Sequence, residues 1–210
     1  MNITPELARI HAHICGDGYV NVFITKRAPG SLISHPRKNI YYNDWIMAYC
    51  NKSRILIDEF QNDLDKCFNK RGLYSPKKYE VRAKGSKKII LNLKLNKKNS
   101  KNWIIPNFIF RSSNKIIKNW LRAFFDDEAT VDTKKRAIFV TSINRKGLFQ
   151  VFKLLKKLKI KSKINGPYLK AWRLCIRSKN VIKYHDKISF LHPEKLEKIK
   201  IIKMGREGFS

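Results

Sequence analysis

The sequence predicts an α+β fold of two pseudo-symmetric αββαββα halves, each an antiparallel sheet with helices on one face, packed through one helix from each half. Three observations lead there. Two apolar helical stretches read alike, LARIHAHICGDG from Leu7 to Gly18 and LRAFFDDEA from Leu121 to Ala129. They superpose without a gap at an offset of 111 residues, which carries Ile10 onto Leu121, Ala12 onto Ala123, Ile14 onto Phe125 and Asp17 onto Glu128. After each stretch the hydrophobic period switches between two and about 3.6 in the same order.

Taken in order, Thr4 and Pro5 supply a capping hydroxyl and a first-turn proline, so the first helix should run from Pro5 to about Gly16. Ala8, Ala12 and Gly16 recur every fourth residue along it and would let a second helix approach closely. From Gly18 the alternation of Val20, Val22 and Ile24 with Asn21, Phe23, Thr25 and Arg27 reads as a half-buried strand. A loop follows to about Arg37, then a strand from Asn39 to Asn51, and Ser53 is placed to cap the next helix. That helix has Leu56, Phe60, Leu64 and Phe68 on one face. KYEVRAK and KKIILNLK read as a strand pair around Gly85 and Ser86. Ser112 and Ser113 cap the second like helix, followed by a strand near Thr130, a basic turn at Lys134, Lys135 and Arg136, and the strand AIFVTSIN. Leu148, Phe152, Leu155 and Leu158 mark a helix, SKINGPY and AWRLCIR two more strands, and a helix begins near Ser178. The halves are expected at residues 1–110 and 111–192, with residues 193–210 an added helix ending at Gly205.

The chain of 210 residues carries 46 basic and 16 acidic residues, a formal charge of +30, which points to a polyanionic partner. With 43% hydrophobic residues it is a folded basic protein and not a basic tail. No apolar run approaches the ~20 residues of a membrane span, and MNITPEL lacks a leader pattern, so a soluble intracellular protein with no membrane partner is expected. Cys15, Cys50, Cys67 and Cys175 have no paired spacing and are expected to be reduced core thiols.

The chemistry is expected where the two like helices end. A helix C-terminus already carries partial negative charge, so an acid there costs roughly 0.3–1 kcal/mol unless a cation is near. The feature occurs twice, at Asp17 and at Asp126, Asp127 and Glu128, so a divalent metal site is expected between the two ends. Asp126 and Asp127 are expected to be exposed beside Glu128. His11 and His13 lie two apart on a helix, cannot chelate one ion together, and are expected in the core or interface. Alternation places Glu80, Arg82 and Lys84, then Lys88, Asn92 and Lys94, then Lys161, Lys163 and Asn165, then Arg173 and Arg177 on open sheet faces. Rows of Lys, Arg and Asn suit phosphate neutralisation and base-edge readout.

Both stretches resemble the motif of the LAGLIDADG homing endonucleases, the first with the GDG ending, the second with Ala129 in place of glycine. The resemblance spans residues 5 to 190. It implies a monomer with two motif helices at a pseudo-two-fold axis, cutting both strands of a long, partly pseudo-palindromic DNA site and leaving short 3′ overhangs. Asp17 and Glu128, with Gly16 and Asp127, would hold Mg²⁺, for which Mn²⁺ could substitute. Asn51 and Lys52, Asn144 and Arg145, and Lys94 and Arg177 would support catalysis. The DNA-binding set it implies is Asn21, Thr25, Arg27, Arg82, Lys84, Lys88, Asn92, Lys134, Lys135, Arg136, Lys161, Lys163, Asn165 and Arg173. An archaeal cytoplasm or an organelle is the expected setting. An RNA-binding maturase acting on host intron RNA, or a DNA binder that has lost cleavage, stay open as alternatives.

Overall fold

A computed structural model describes residues 3–26, 41–85, 87–95 and 101–207. Helix α1 (Pro5–Cys15) starts as expected, with Leu7 N donating to Thr4 Oγ1 at 3.2 Å and Pro5 in the first turn. It is buried all round, from Leu7 and Ala8 through Ile14 and Cys15, which only a helix at the centre of the molecule can be. Strands β1 (Gly18–Lys26) and β2 (Tyr41–Cys50) pair antiparallel from Gly18 opposite Tyr49. Helix α2 (Arg54–Phe68) buries Leu56, Phe60 and Leu64 as predicted. Ser53 occupies its N-cap position, but its hydroxyl makes no capping bond. Its backbone N–H instead donates to Asn51 Oδ1 at 2.9 Å.

The next pair of strands is not where the pattern put it. Strand β3 is the short Leu73–Ser75 and β4 is Glu80–Gly85, whereas Lys87–Asn92 forms helix α3. Ile90, Leu93 and Leu95 are its buried side chains and the turn after it. A six-residue apolar-centred run carries too little periodicity to separate helix from strand. Lys88 and Asn92 therefore sit on a helix, and Lys94 in the turn beyond it with φ 56°, so none of the three belongs to a sheet face. Arg27 and the loop to Arg37 lie outside the described residues.

After the short helix α4 (Asn107–Phe110), helix α5 (Asn114–Glu128) is followed by β5 (Ala129–Asp132), β6 (Ala137–Ser142), α6 (Arg145–Lys157), β7 (Lys163–Tyr168), β8 (Ala171–Arg177) and α7 (Lys179–Lys187). The added helix α8 (Pro193–Glu207) runs through Gly205, where an end was expected. The two four-stranded antiparallel sheets have the same order, β1-β2-β4-β3 and β5-β6-β8-β7. Each half thus reads αββαββα, and α1 packs on α5 at the junction.

Small residues make that junction close. Ala8, Ala12 and Ala123 are fully buried, and a Cβ built on Gly16 would lie 2.7 Å from Asp127 Oδ2 and 2.8 Å from its Cβ. Asn119 and Asp127, which break the small stripe on α5, are accommodated by hydrogen bonds, Asn119 Oδ1 accepting from Arg9 Nη1 at 2.6 Å. The four cysteines are free, Cys15 and Cys175 buried and Cys50 and Cys67 half-buried. Toward its tip β1 loses the predicted alternation, with Val22, Phe23 and Ile24 all exposed. No described helix is long and apolar enough to cross a membrane.

Candidate active site and nucleic-acid interface

The strands that follow α1 and α5 start in the same register, although α1 ends at Cys15 with Asp17 in the turn beyond it and α5 stays helical through Glu128. Gly18 pairs with Tyr49 at the start of β1, and Ala129 pairs with Val140 at the start of β5, so Asp17 and Glu128 occupy matching positions. The same register corrects the supporting residues. Tyr49 corresponds to Val140, so Asn51 corresponds to Ser142, and Ser53 to Asn144. The local bonds agree: Ser53 N donates to Asn51 Oδ1, and Asn144 N donates to Ser142 Oγ.

Asn51 reaches the acid, its Nδ2 donating to Asp17 Oδ2 at 3.1 Å. Asn144 does not join the site. It is buried, its Oδ1 caps α6 by accepting from Gly147 N, and its Nδ2 donates to Trp103 O at 2.6 Å. Arg145 is stacked over the Trp172 ring at 4.4 Å. Lys52 is exposed next to Asn51. The partner of Arg177 in the other half is Lys84 and not Lys94, because Ala137 faces Arg177 as Ile46 faces Lys84.

The side chains of Asp126 and Asp127 are buried rather than exposed. Asp126 accepts from Leu191 N at 3.0 Å and His192 N at 3.0 Å, tying the start of α8 to α5, and pairs with Arg122 at 3.2 Å. Burial pushes its pKa up to about 6 despite those partners. Both Asp127 carboxylate oxygens are spent, one accepting from Tyr49 Oη at 2.6 Å and the other facing His13 Nδ1 at 3.0 Å. Burial alone would lower the His13 pKa, but the Asp127 and Glu59 carboxylates outweigh it and push it up to about 9. Glu59, paired with Arg122 at 2.5 Å, is conversely held down to about 2 by His13 and Arg122 against its burial. Arg9 grips Asp63 through two contacts of 2.5 and 2.8 Å.

Five carboxylates (Glu6, Glu59, Asp63, Asp126, Asp127) therefore face three cations (Arg9, His13, Arg122) across α1, α2 and α5. Glu59, Arg122 and Asp63 were not foreseen in sequence; the one signal was a cluster of acids, Asp58, Glu59 and Asp63, in a chain poor in them. His11 is a core residue, accepting from Trp120 Nε1 at 3.0 Å, and burial lowers its pKa to about 4.

Asp17 lies on an exposed residue, yet its carboxyl group sits against protein atoms. That lost hydration and the Asp127 charge push its pKa up to about 6. Lys195 from α8 reaches the end of α5, its Nζ donating to the carbonyls of Phe125 (3.2 Å), Asp126 (2.5 Å) and Asp127 (3.1 Å). Burial lowers its pKa, and the charges of Asp127, Asp126, Asp17 and Glu128 act against that. No described group of three or more His, Cys, Asp or Glu side chains is arranged to hold a metal ion.

Beside this junction lie the outward sheet faces. On the second sheet the register puts Lys163, Asn165, Arg173 and Arg177 together with Thr130, Phe139 and Thr141, and Arg173 and Arg177 lie over the Phe139 ring. Lys161, Lys163, Asn165 and Arg177 also line a cavity with Lys179 and Asn180. The basic turn Lys134, Lys135 and Arg136 is exposed at the end of the β5–β6 hairpin. On the first sheet Asn21, Thr25, Arg82 and Lys84 share a face with Tyr19 and Phe23. There the cations are partnered: Arg82 Nε bonds Glu80 at 2.6 Å and Lys84 bonds Asp44 at 2.8 Å. Glu80, expected to be exposed, is buried under Tyr19 and Arg82.

Two four-stranded antiparallel sheets of the same strand order, joined through a pair of packed helices, make an α+β fold of two like halves. Residues 115–189 match the model of the LAGLIDADG-like domain family, which bears out the resemblance drawn from the two motifs. No curated protein matches the chain by sequence. Among solved structures, a mesophilic variant of the homing endonuclease I-DmoI aligns with a TM-score of 0.62 at 16% identity, covering 95% of this chain and 99% of its own. The I-LtrWI LAGLIDADG homing endonuclease bound to target DNA aligns at 0.56 and 12% identity, covering 97% and 91%. Full-length DUF199/WhiA from Thermatoga maritima aligns at 0.58 and 16% identity, with 98% of this chain matched to 62% of that one. At such identities the likeness is one of fold.

Proposed function

We propose that this chain is a site-specific DNA endonuclease that cuts both strands of a duplex with divalent metal ions, leaving short 3′ overhangs. The observation that carries this reading is the matched placement of Asp17 and Glu128 at the ends of two crossing helices, between two sheet faces bearing basic and polar side chains. Its similar structures include I-DmoI in complex with DNA and Mn and I-LtrWI bound to target DNA, in keeping with DNA as partner. I-DmoI complexes were also solved with Mg and with Ca.

The donor set fits a hard divalent cation, since carboxylates and main-chain carbonyls at two helix ends offer only oxygen. Asp17 and Glu128 would hold the ions, with the carbonyls of Gly16 and Asp127 and with DNA phosphate oxygens completing an open site. When bound, a divalent ion lowers the pKa of its water and neutralises charge on the phosphorus centre. This chain's own residues do the rest. Asn51 orients the Asp17 carboxylate, Ser142 occupies the matching place in the other half, and Lys52 and Arg177 supply cations to phosphate. Lys163, Asn165, Arg173, Asn21, Thr25 and Arg82 face the grooves, as Arg and Asn suit guanine and adenine edges. A DNA binder without cleavage is the second reading, favoured by Lys195 already donating to the carbonyls at the Glu128 end.

Cleavage of a randomised duplex library with Mg²⁺, beside Asp17→Asn and Glu128→Gln, tests the proposal. Defined double-strand cuts lost in both variants, with DNA binding kept, support it. Tight binding without cutting by the wild type would refute the nuclease and leave the binder.

A further inference from the structure

At the end of the second sheet remote from Glu128, β7 and the start of α7 enclose a cavity of about 650 Å³. The register places it: Arg177, in its lining, is level with Asp132, three residues or about 10 Å along the strands from Ala129. Lys161, Lys163 and Lys179 line it as well, and no carboxylate does. None of these four cations enters a described ion pair. The fold does not require them, since in the first sheet Lys84, the counterpart of Arg177, is paired with Asp44, and exposed Leu73 takes the place of Lys163.

Polar groups inside the cavity await an acceptor. Ser162 lines it, and its buried Oγ has no hydrogen-bond partner, a loss that an oxyanion would repair. Helix α7 begins there with Ser178 at the N-cap position making no side-chain capping bond, so its first amides are left for a ligand. Arg177 Nε donates to Cys175 Sγ at 3.1 Å, which leaves the terminal guanidinium nitrogens for two oxygens of one anion. The walls are tied together, because Asn180 Oδ1 accepts from Lys161 N at 3.0 Å. A neighbouring cavity of about 360 Å³ shares Arg177, Ser178 and Lys179 and adds Lys135 and Arg136, so the basic sites adjoin as charges do along a nucleic-acid strand.

We propose that the larger cavity is a phosphate seat that grips one DNA backbone phosphate away from the scissile position. The inference rests on the DNA-binding reading above and deepens it. A phosphate held beside Arg177 is too far along the sheet to be the one that Asp17 or Glu128 attacks. It fixes the register of the duplex on the second half.

Nuclear magnetic resonance of the ¹⁵N-labelled protein, titrated with inorganic phosphate and then with a short random-sequence duplex, reads the seat without any cleavage. Phosphate should shift the amides of residues 178–180, and the duplex should displace it while shifting the same amides. Ser162→Ala removes no charge, so it should weaken duplex binding about tenfold and leave the salt slope unchanged. Lys179→Gln should lower that slope by roughly one. Circular dichroism checks that each variant is folded; if Ser162→Ala is not, Ser162→Gly takes its place. A hydroxyl that is merely orphaned gives the opposite result, wild-type duplex binding with an equal or higher melting temperature. That outcome, or silent amides at 178–180, would overturn the proposal. So would phosphate that the duplex does not displace, which leaves a free-phosphate site only. Failure of the nuclease reading is separate, since it appears as uncut DNA that still fills the cavity.

Discussion

Replacing Asp127 by Asn changes the centre of the molecule by one charge at nearly constant shape. In the wild type the His13 pKa is pushed from 6.5 to about 9, which at about 1.4 kcal/mol per unit corresponds to about 3 kcal/mol of stability. Its sign is fixed by the raised folded-state value: the contribution is fully present below pH 6.5 and is lost as the pH rises through 9. Asp127 is foremost among the groups raising that pKa, so Asp127→Asn should leave only Glu59 to hold the imidazolium. The Tyr49 bond can survive, because an amide oxygen still accepts. Urea unfolding from pH 6.5 to 10 is the assay. At pH 6.5 the variant should be about 2–3 kcal/mol less stable, in line with breaking a buried pair, and by pH 10 the curves should converge. Stability curves that stay parallel, or a loss under about 1 kcal/mol at pH 6.5, would refute the assignment of His13 as a buried cation.

Gly16→Ala should cost about 1–3 kcal/mol in urea unfolding, because the new Cβ lies 2.8 Å from the Asp127 Cβ and the two helices must part. Divalent-cation binding at the Asp17 end should weaken as the pH falls through about 6, since protons then compete for a carboxylate whose pKa is raised; calorimetric Ca²⁺ titrations at pH 5 and 7.5 check this. Arg173→Ala and Arg177→Ala should each flatten the salt dependence of DNA binding by roughly one unit of slope, whereas Arg82→Ala should change it less, because Glu80 already neutralises that side chain. Filter binding across a salt series measures all three.

The helices that meet at the centre were legible because each carries a period near 3.6 and punctuation, Thr4–Pro5 and GDG around the first and Ser112–Ser113 before the second. The second half was legible almost throughout, three of its four strands being six or seven residues long with clear alternation at AIFVTS and AWRLCIR. In the first half β3 is three residues long and carries no such signal, whereas KKIILNLK has the strand-like pattern and folds as a helix. Side-chain identity along the sequence pairs Asn51 with Asn144. Backbone pairing, which sequence spacing alone does not reveal when loops differ in length, matches Asn51 with Ser142.

Sequence by itself determined the paired motif, the acids Asp17 and Glu128, the repeat of the sheet-building elements and the basic charge, because local periodicity and residue chemistry are written along the chain. Only the tertiary structure decided which charges are spent. Whether Asp127 is a free ligand or the partner of His13, whether Arg82 is open or held by Glu80, and whether a lysine some 70 residues away closes the end of α5 all depend on groups distant in sequence. Electrostatic energies fall with separation in space, and separation in space is fixed only when the helices and sheets have packed.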